Sequence, residues 1–385
     1  MKYLLLLAIL SMNFFIILST FFSKIAGVNI VPLYYPLMIV IEICCVSYVL
    51  LLILKSKKIN YKFIVLFLIF IIISLGFLLS NSNDEKLVRN IYLFFLLWAI
   101  PGAISGIKFN DIPEKQVIKF LKFIYFLFSI SLFMIVYVPY LKDELPSYIN
   151  FGLLIYQNIS YISAFTIGLG FLLFKHLNKI YNLITFIVLS HVIFISGGRG
   201  GAILFFSYIL LTGLLLIKSK KINNINKVLI ILFSTLIFLL IMIYMNPISE
   251  NSRTFSYIED GKLNLDGTSG RNDIYGNAFK LILENMYTGY GLFNYQELLN
   301  NIPHNIILEL LLIGGIPLLS ICIIFTIKVI LNIIYIKEYS FHDLAVIYIA
   351  IYPLVLLNFS SNFFVMSEFW FVLFYFMNKR RIKID

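Results

Sequence analysis

The chain has 385 residues, of which 61% are hydrophobic and 13% are charged, and its formal net charge is +11. Soluble domains are nearer half apolar and a quarter charged, and apolar runs of about 18 residues or more recur along this chain. The composition therefore excludes a large soluble domain and predicts an all-α, polytopic membrane protein.

The N-terminal apolar run resembles a secretory signal, but it is too long for one, and no small-x-small cleavage site follows it. It is therefore the first of about twelve predicted transmembrane helices, and residues 1–385 are predicted to form a single integral membrane domain. The tenth apolar run is longer than a perpendicular span needs, so we expect that helix to tilt or to extend beyond the bilayer. The predicted spans are residues 3–22, 32–54, 61–80, 91–107, 119–141, 158–174, 180–196, 201–217, 228–246, 306–335, 342–358 and 362–378.

Basic residues are distributed unequally between the two sides that these spans define. Most of the 30 lysines and arginines fall in the loops of one side, including the KSKK sequences at 55–58 and 218–221 and the C-terminal NKRRIK. The positive-inside rule makes this side cytoplasmic and places both termini there. The net charge then follows from topology, and it indicates no nucleic-acid partner.

Arginine is distributed differently from lysine. Two arginines lie in the C-terminal tail, and the others lie on the opposite, extracytoplasmic side: Arg89, Arg199, Arg253 and Arg271. The planar guanidinium group binds phosphate through two parallel hydrogen bonds, so these arginines indicate an anionic ligand on that face. A random scatter of surface arginines is the alternative.

One long extracytoplasmic loop, residues 247–305, lies between the ninth and tenth spans. Loops of this length are usually functional or disordered. Its residues 271–286 are predicted to form an amphipathic helix, with Thr268 or Ser269 as its cap and Gly289 after its end. We expect this helix to lie on the membrane surface or across the mouth of the bundle. Its apolar stripe consists of Ile274, Ala278, Leu281, Ile282 and Met286.

Three polar residues share one predicted geometry, because each lies at an extracytoplasmic helix N-terminus. Arg199 precedes the eighth span, Arg271 begins the amphipathic helix, and His304 precedes the tenth span, for which Asn305 is the candidate N-cap. Helix N-termini offer free N–H groups and a partial positive charge, so the three positions together suit a pyrophosphate. Snorkelling, surface exposure or an interfacial position would explain each residue separately.

Two further features lie close to these residues in sequence. Gly198 and Gly200 flank Arg199, and we interpret them as letting backbone amides curl around an anion, with close packing of helices as the alternative. Glu309 lies one turn deeper than His304 in the tenth span. A carboxylate within a membrane is costly, so Glu309 is a functional candidate.

Three stretches carry a resemblance to a known family: SGGRGG (196–201), SGRNDIYGNAFKLILENMYTGYGLFNY (269–295) and HNIILELLLIGGIPLL (304–319). Together with the many spans and the late extracytoplasmic loop, they resemble the O-antigen polymerase and O-antigen ligase family. In sequence the resemblance covers mainly residues 190–320. Each motif alone is weak, and their order and side of the membrane make the set specific.

The resemblance implies a glycosyltransferase of the bacterial cytoplasmic membrane, with an undecaprenyl-pyrophosphate-linked glycan as its substrate and an active site on the periplasmic or outer face. By that analogy Arg199 and Arg271 hold the pyrophosphate and stabilise the leaving group, and His304 orients or deprotonates the acceptor hydroxyl. Besides the bilayer, flippase and chain-length regulator proteins are implied partners. The wider substrate-binding set is Gly198, Gly200, Arg253, Arg89, Tyr275, Tyr290 and Glu309.

No metal and no other cofactor is predicted, since arginines can supply the positive charge, and the sequence shows neither a P-loop nor a metal-ligand spacing of cysteines. A polymerase, which lengthens the glycan on its lipid carrier, is preferred to a ligase, which transfers finished glycan to a lipid core, on family frequency alone. A twelve-helix transporter or flippase is the alternative from another class. It would predict six-helix repeats, and none is evident.

Overall fold

The computed structural model describes residues 1–56, 60–146, 149–218, 258–259, 262–263, 271–299, 302–334 and 339–377. The predicted ninth span (228–246), Arg253 and the cap candidates Thr268 and Ser269 lie outside them. Strands within the described residues form two short antiparallel hairpins, β1 (Asn150–Phe151) with β2 (Leu154–Ile155) and β3 (Ile258–Glu259) with β4 (Lys262–Leu263).

The rest of the regular structure in the described residues is helical. The α-helices are α1 (Lys2–Ile9), α2 (Ser11–Phe21), α3 (Tyr34–Ser56), α4 (Tyr61–Leu78), α5 (Glu85–Phe94), α6 (Ile100–Lys108), α7 (Glu114–Leu132), α8 (Val138–Leu141), α9 (Tyr156–Leu172), α10 (Lys179–Ile195), α11 (Arg199–Lys218), α12 (Arg271–Glu284), α13 (Tyr295–Leu299), α14 (Ile306–Ile334), α15 (Phe341–Phe359) and α16 (Ser367–Phe376).

Seven helical segments of the described chain are long and apolar enough to cross a membrane. α1 and α2 qualify together as a bent pair, and α10 and α16 are shorter apolar helices. The protein is therefore an all-α, multi-pass membrane protein, as the sequence predicts. The total of twelve spans stays a prediction. The seven segments are Val31–Lys55, Tyr61–Leu78, Glu85–Asp111, Glu114–Leu141, Arg199–Lys218, Ile306–Leu331 and Phe341–Phe359.

In two of the proline-containing segments, the helix continues across the proline through a π-helical turn. Phe95–Ala99 joins α5 to α6, just before Pro101, and Phe133–Tyr137 joins α7 to α8, just before Pro139. Proline lacks an N–H and its ring clashes with the carbonyl four residues earlier. A wider turn at that point accommodates the ring, so each segment continues as one helical rod.

The first predicted span is not a continuous helix, which corrects the sequence expectation. The chain bends at Leu10, between α1 and α2. Backbone carbonyls at a break need new donors inside a membrane. One buried serine supplies such a donor, because Ser367 Oγ donates to Ile9 O at 2.8 Å, and one turn earlier the buried Ser105 Oγ donates to Leu5 O at 2.7 Å.

The chain divides into two compact units. The first unit consists of Met1–Met12, Leu33–Val117 and Thr268–Asp385, and the second consists of Asn13–Pro32 and Ile118–Gly267. The expectation of a single integral membrane domain stays a prediction. Of the residues singled out in sequence, Arg199 belongs to the second unit, whereas Arg271 and His304 belong to the first.

Within the first unit, segments that were predicted on the same side of the membrane contact each other. Near the predicted cytoplasmic ends, Lys62 Nζ donates to Phe374 O at 2.7 Å, and His342 Nε2 donates to Ile112 O at 2.8 Å. At the predicted opposite end, the loop after α4 contacts the segment before α14. Which end of these helices faces the cytoplasm stays a prediction.

Candidate active site

Arg199 is the first residue of α11, and it is half-buried. α11 packs along α9, and the two helices run in the same direction: Gly198 lies against Ser160 near their starts, and Tyr208 lies against Gly168 further along. The N-termini of both helices are therefore side by side at Arg199. Each contributes a partial positive charge, so this end of the second unit favours an anion.

The glycines around Arg199 allow this close approach. A β-carbon at Gly198 or Gly201 would overlap Ser160, and a β-carbon at Gly200 would overlap the ring of Tyr161. Close helix packing, one of the two interpretations weighed from the sequence, is therefore what these glycines do in the structure. A part for Gly198 and Gly200 in anion binding stays a prediction.

The sequence predicts a span from residue 158, close to the observed start of α9, but does not place that start beside Arg199. α9 is preceded by the β1–β2 hairpin, and Tyr156 N–H donates to Ile149 O at 3.0 Å. Gln157 Nε2 donates to Tyr156 Oη at 3.1 Å, and Ser160 Oγ donates to Gln157 O at 2.8 Å. The available signal was the polar run YQNIS, where an otherwise apolar span begins. These side chains add hydrogen-bonding groups next to Arg199.

In the first unit, α14 is broken about a third of the way along its length, where the sequence predicts a tilted or extended helix. Gly314 (φ −142°) and Gly315 (φ +62°) leave the helical conformation. Pro317 follows, and because proline has no N–H it cannot satisfy the carbonyl four residues earlier. The part of the helix before the break (306–313) therefore ends with carbonyls that need donors from another segment.

The long loop supplies these donors. Tyr290 N–H donates to Leu312 O at 2.7 Å, and Gly291 N–H donates to Ile313 O at 2.9 Å. The sequence YTGYG in the loop and the glycine pair in the span belong to two different stretches of the family resemblance. In the structure they are two halves of one contact, which we call the α12–α14 joint (residues 286–291 and 312–316).

The joint depends on glycine at two positions with positive φ. Gly289 (φ +64°) lies so close to the backbone of α14 that a β-carbon would overlap it. A β-carbon on Gly315 would lie 2.6 Å from the carbonyl carbon of Tyr287. Beside it, Ile316 N–H donates to Met286 O at 2.9 Å. The segment that follows α12, the helix that begins at the predicted ligand Arg271, is thereby fixed to the helix that His304 precedes.

His304 and Asn305 lie directly before α14. Asn305 Oδ1 accepts from Ile307 N–H at 3.0 Å and from Leu308 N–H at 3.2 Å, which confirms it as the N-cap. His304 is half-buried and has φ +50°, a left-handed conformation that is uncommon for a residue other than glycine. Its backbone is therefore held in a specific turn at the positive end of the half-helix that stops at the break.

The loop before α5 is hydrogen-bonded to the segment before α14. Asn83 donates from its backbone N–H and from Nδ2 to the Glu297 carboxylate, both at 2.7 Å. These hydrogen bonds lower the pKa of Glu297. Ser80 Oγ donates to Asn294 Oδ1 at 3.0 Å. Arg89 is exposed on α5, the helix that this loop leads into.

A cluster of buried polar side chains lies behind His304. Asn362 Nδ2 donates to Glu309 Oε1 at 3.4 Å and to Tyr295 Oη at 3.3 Å. Burial first, and then the nearby Glu309, raise the pKa of Tyr295 well above its ordinary value, so its hydroxyl stays protonated. Glu309 is 0% exposed. In this conformation its contacts are therefore with other side chains and not with solvent. Asn362 bonds to both Glu309 and Tyr295, and so links α13, α14 and the segment before α16.

Replacing Asn362 by alanine is expected to destabilise the protein by about 1–3 kcal/mol, because Glu309 and Tyr295 would lose a buried donor. Asn362 Oδ1 also accepts from Phe364 N–H at 2.8 Å, and that bond would be lost too. The measurement is the thermal midpoint in detergent. Asn358→Ala is the control, since Asn358 Nδ2 donates to Leu354 O within its own helix. Equal midpoints for the two variants would contradict the role of the cluster.

The other predicted site residues have separate positions. Tyr275 is half-buried on α12. The Tyr290 hydroxyl turns back and donates to Leu281 O at 3.0 Å, so in this conformation it closes the end of α12. Arg271 is the first residue of α12, and Arg253 lies outside the described residues.

The fold and these features define a multi-pass helical membrane protein whose selected polar residues lie at the starts of helices. A family model described as O-antigen ligase matches residues 184–323, which include Arg199, Arg271, His304 and Glu309. The match confirms the resemblance to the O-antigen polymerase and ligase family, whose members are glycosyltransferase-like enzymes acting on lipid-linked glycans. It supports a function of the O-antigen polymerase or ligase type. No curated protein and no solved structure matches the chain significantly.

Proposed function

We propose that the protein is a polysaccharide polymerase of the bacterial cytoplasmic membrane. It transfers the growing glycan from its undecaprenyl-pyrophosphate carrier to the next lipid-linked repeat unit on the extracytoplasmic face. One observation carries the proposal: Arg199 and Arg271 each begin a helix and His304 directly precedes one, all within the region that matches the family. Guanidinium groups and helix N-termini are the groups that bind pyrophosphate without a metal.

The proposed reaction forms one glycosidic bond and breaks another. The hydroxyl oxygen of the acceptor sugar bonds to the anomeric carbon of the donor glycan, and the bond from that carbon to the pyrophosphate oxygen breaks. The electron pair of the broken bond stays on the pyrophosphate, where Arg199 and Arg271 stabilise it. His304 takes the hydroxyl proton, a general-base role that histidine side chains fill more often than any other.

The proposal is tested with the purified full-length chain in proteoliposomes that contain a lipid-linked repeat unit. A polymerase produces a ladder of glycans that lengthens one repeat at a time, with free undecaprenyl pyrophosphate as the second product. Transfer of one finished glycan to an added lipid-core acceptor, without a ladder, would assign the protein as a ligase instead. Movement of the substrate across the bilayer without new bonds would rule out both enzymes.

Metal removal is expected to leave the rate unchanged within about twofold, since the proposed charge stabilisation comes from arginines and helix N-termini. The measurement is the initial rate of ladder formation with and without excess EDTA. A control reaction with EDTA and a matching excess of magnesium excludes a direct effect of the chelator. Loss of activity with EDTA alone, restored by magnesium, would contradict the metal-independent mechanism.

A further inference from the structure

α12 presents two apolar faces, and among the residues that the structure describes only one of them packs against other parts of the protein. Ala278 and Ile282 are 0% and 6% exposed and belong to the packed face. Phe279 and Leu283 lie one turn apart on the other face and are 56% and 69% exposed. Exposed neighbouring large apolar side chains on a loop helix indicate a surface that binds something apolar.

The exposed face continues past the end of the helix. Tyr287, four residues after Leu283, is 74% exposed. We call Phe279, Leu283 and Tyr287 the α12 stripe. Lys280 and Glu284 are also exposed, and the helical period of 3.6 residues places them beside the stripe on a polar face. α12 therefore has a protein-facing side, an exposed apolar side and a polar side.

The α12–α14 joint determines which residues of the spanning helix α14 lie beside the end of the α12 stripe. Tyr290 N–H bonds to Leu312 O, and the backbone of Tyr287 lies against Gly315. Leu312 is the seventh residue of the candidate span that begins at Ile306, so it is roughly 9 Å along the span at 1.5 Å per residue. The end of the α12 stripe is therefore beside the apolar interior of a span and not beyond its end.

The surface of α14 at this level is itself apolar and exposed. Ile307 is 51% exposed and Ile316 is 40% exposed, one on each side of the joint level. A spanning helix with such side chains faces acyl chains in a membrane. The α12 stripe is attached to this same helix, and its exposed side chains continue the apolar surface into the loop.

We propose that the α12 stripe inserts into the acyl chains of the bilayer leaflet next to the start of α14, while Lys280 and Glu284 stay in the aqueous interface. The long loop thus re-enters the membrane edge at residues 279–291. This docking surface does not depend on which glycan the protein transfers. In the proposed enzyme it would hold the N-terminal end of α12, with Arg271, at the level of lipid headgroups.

The test uses single cysteines in the full-length chain, after Cys44, Cys45 and Cys322 have been replaced by alanine. The protein is reconstituted into phosphatidylcholine and phosphatidylglycerol vesicles and labelled with a charged, membrane-impermeant maleimide. Because the thiolate is the reactive form and is disfavoured in hydrocarbon, Phe279→Cys and Leu283→Cys are expected to react at least about tenfold more slowly than Lys280→Cys. Equal labelling after unfolding in SDS shows that all thiols are present.

A second measurement needs no cysteine replacement. Leu283→Trp and Lys280→Trp are placed in vesicles whose phospholipids carry bromine on the acyl chains, and the emission of the wild type, which contains Trp98 and Trp370, is subtracted. The proposal expects strong quenching of the added fluorescence at position 283 and weak quenching at 280. Fast maleimide labelling of Phe279→Cys and Leu283→Cys would place the stripe in water and overturn the proposal. Slow labelling without bromine quenching would assign the stripe to a second copy or another protein, and would also overturn it.

Discussion

Arg199→Lys is expected to lower kcat/KM for glycan transfer roughly 100-fold, although the positive charge is kept. An ammonium group cannot reproduce the two parallel hydrogen bonds that a guanidinium group makes to a pyrophosphate. Arg199 begins α11 beside the start of α9, so its position is set by two packed helices. The measurement is the initial rate of ladder formation with wild-type levels of protein in the vesicles.

Arg381→Lys is the matched control for this substitution, since Arg381 lies in the C-terminal tail on the predicted opposite side of the membrane. It should change the rate less than about twofold, the size typical of a substitution away from the site. A near-normal rate for Arg199→Lys, with the same substrate dependence, would refute bidentate binding by Arg199.

A double-mutant cycle extends the test to Arg271. If both arginines bind one pyrophosphate in the transition state, the double variant Arg199→Ala with Arg271→Ala should lose less transition-state stabilisation than the two single variants lose in sum. The expected difference, the coupling energy, is about 0.5–3 kcal/mol. Strict additivity would indicate independent roles. Parallel melting curves separate loss of chemistry from loss of fold.

Gly315→Ala is expected to abolish most activity by opening the α12–α14 joint. Gly315 has φ +62° and ψ −160°, a region that residues with a side chain rarely occupy, at a cost of about 1–3 kcal/mol. The added β-carbon also meets the backbone of Met286 and Tyr287. The joint must then separate, and Arg271 loses its fixed support. Protease cleavage in the long loop should become faster as activity falls.

Two further variants test whether the loss of activity in Gly315→Ala comes from the joint. Gly289→Ala changes the other side of the joint, where φ is +64° and a β-carbon would press on Ile313, so it should reproduce the effect. Gly276→Ala is the matched control on α12, because in the described part of the chain no atom outside the local helix backbone lies within 4 Å of the added carbon. Alanine is the better helix former, so this control should be neutral or stabilising by up to about 1 kcal/mol. Full activity for Gly315→Ala would contradict the role of the joint.

The fold class followed from composition, because a chain this apolar can satisfy its backbone in a membrane through helices. Breaks were harder to foresee. The bend at Leu10 is followed by Ser11 and Asn13, a weak polar signal in an otherwise apolar run, and its carbonyl partner Ser367 is distant in sequence. The break in α14 had a visible signal in Gly314 and Gly315, but its meaning depends on donors from the loop.

In the candidate site too, features set by neighbouring residues were predicted, and features set by residues distant in sequence were not. The N-cap at Asn305 and the start of α12 at Arg271 are local features, and both were predicted from sequence. The packing of Gly198 and Gly201 on Ser160 and the burial of Glu309 depend on distant partners. Hydropathy alone does not specify which spans are neighbours, so these contacts required the structure.

The hydrogen bond from Ser367 to Ile9 also has a consequence for how the protein is made. The two residues are 358 positions apart, so at about 5–20 residues per second the ribosome needs roughly 20–70 s to pass from one to the other. For that time the carbonyl at the bend lacks its final donor. The first helix to be synthesised is thus among the last to complete its hydrogen bonds. A chain that ends before α16 lacks the Ser367 hydroxyl that bonds to Ile9 O at the bend.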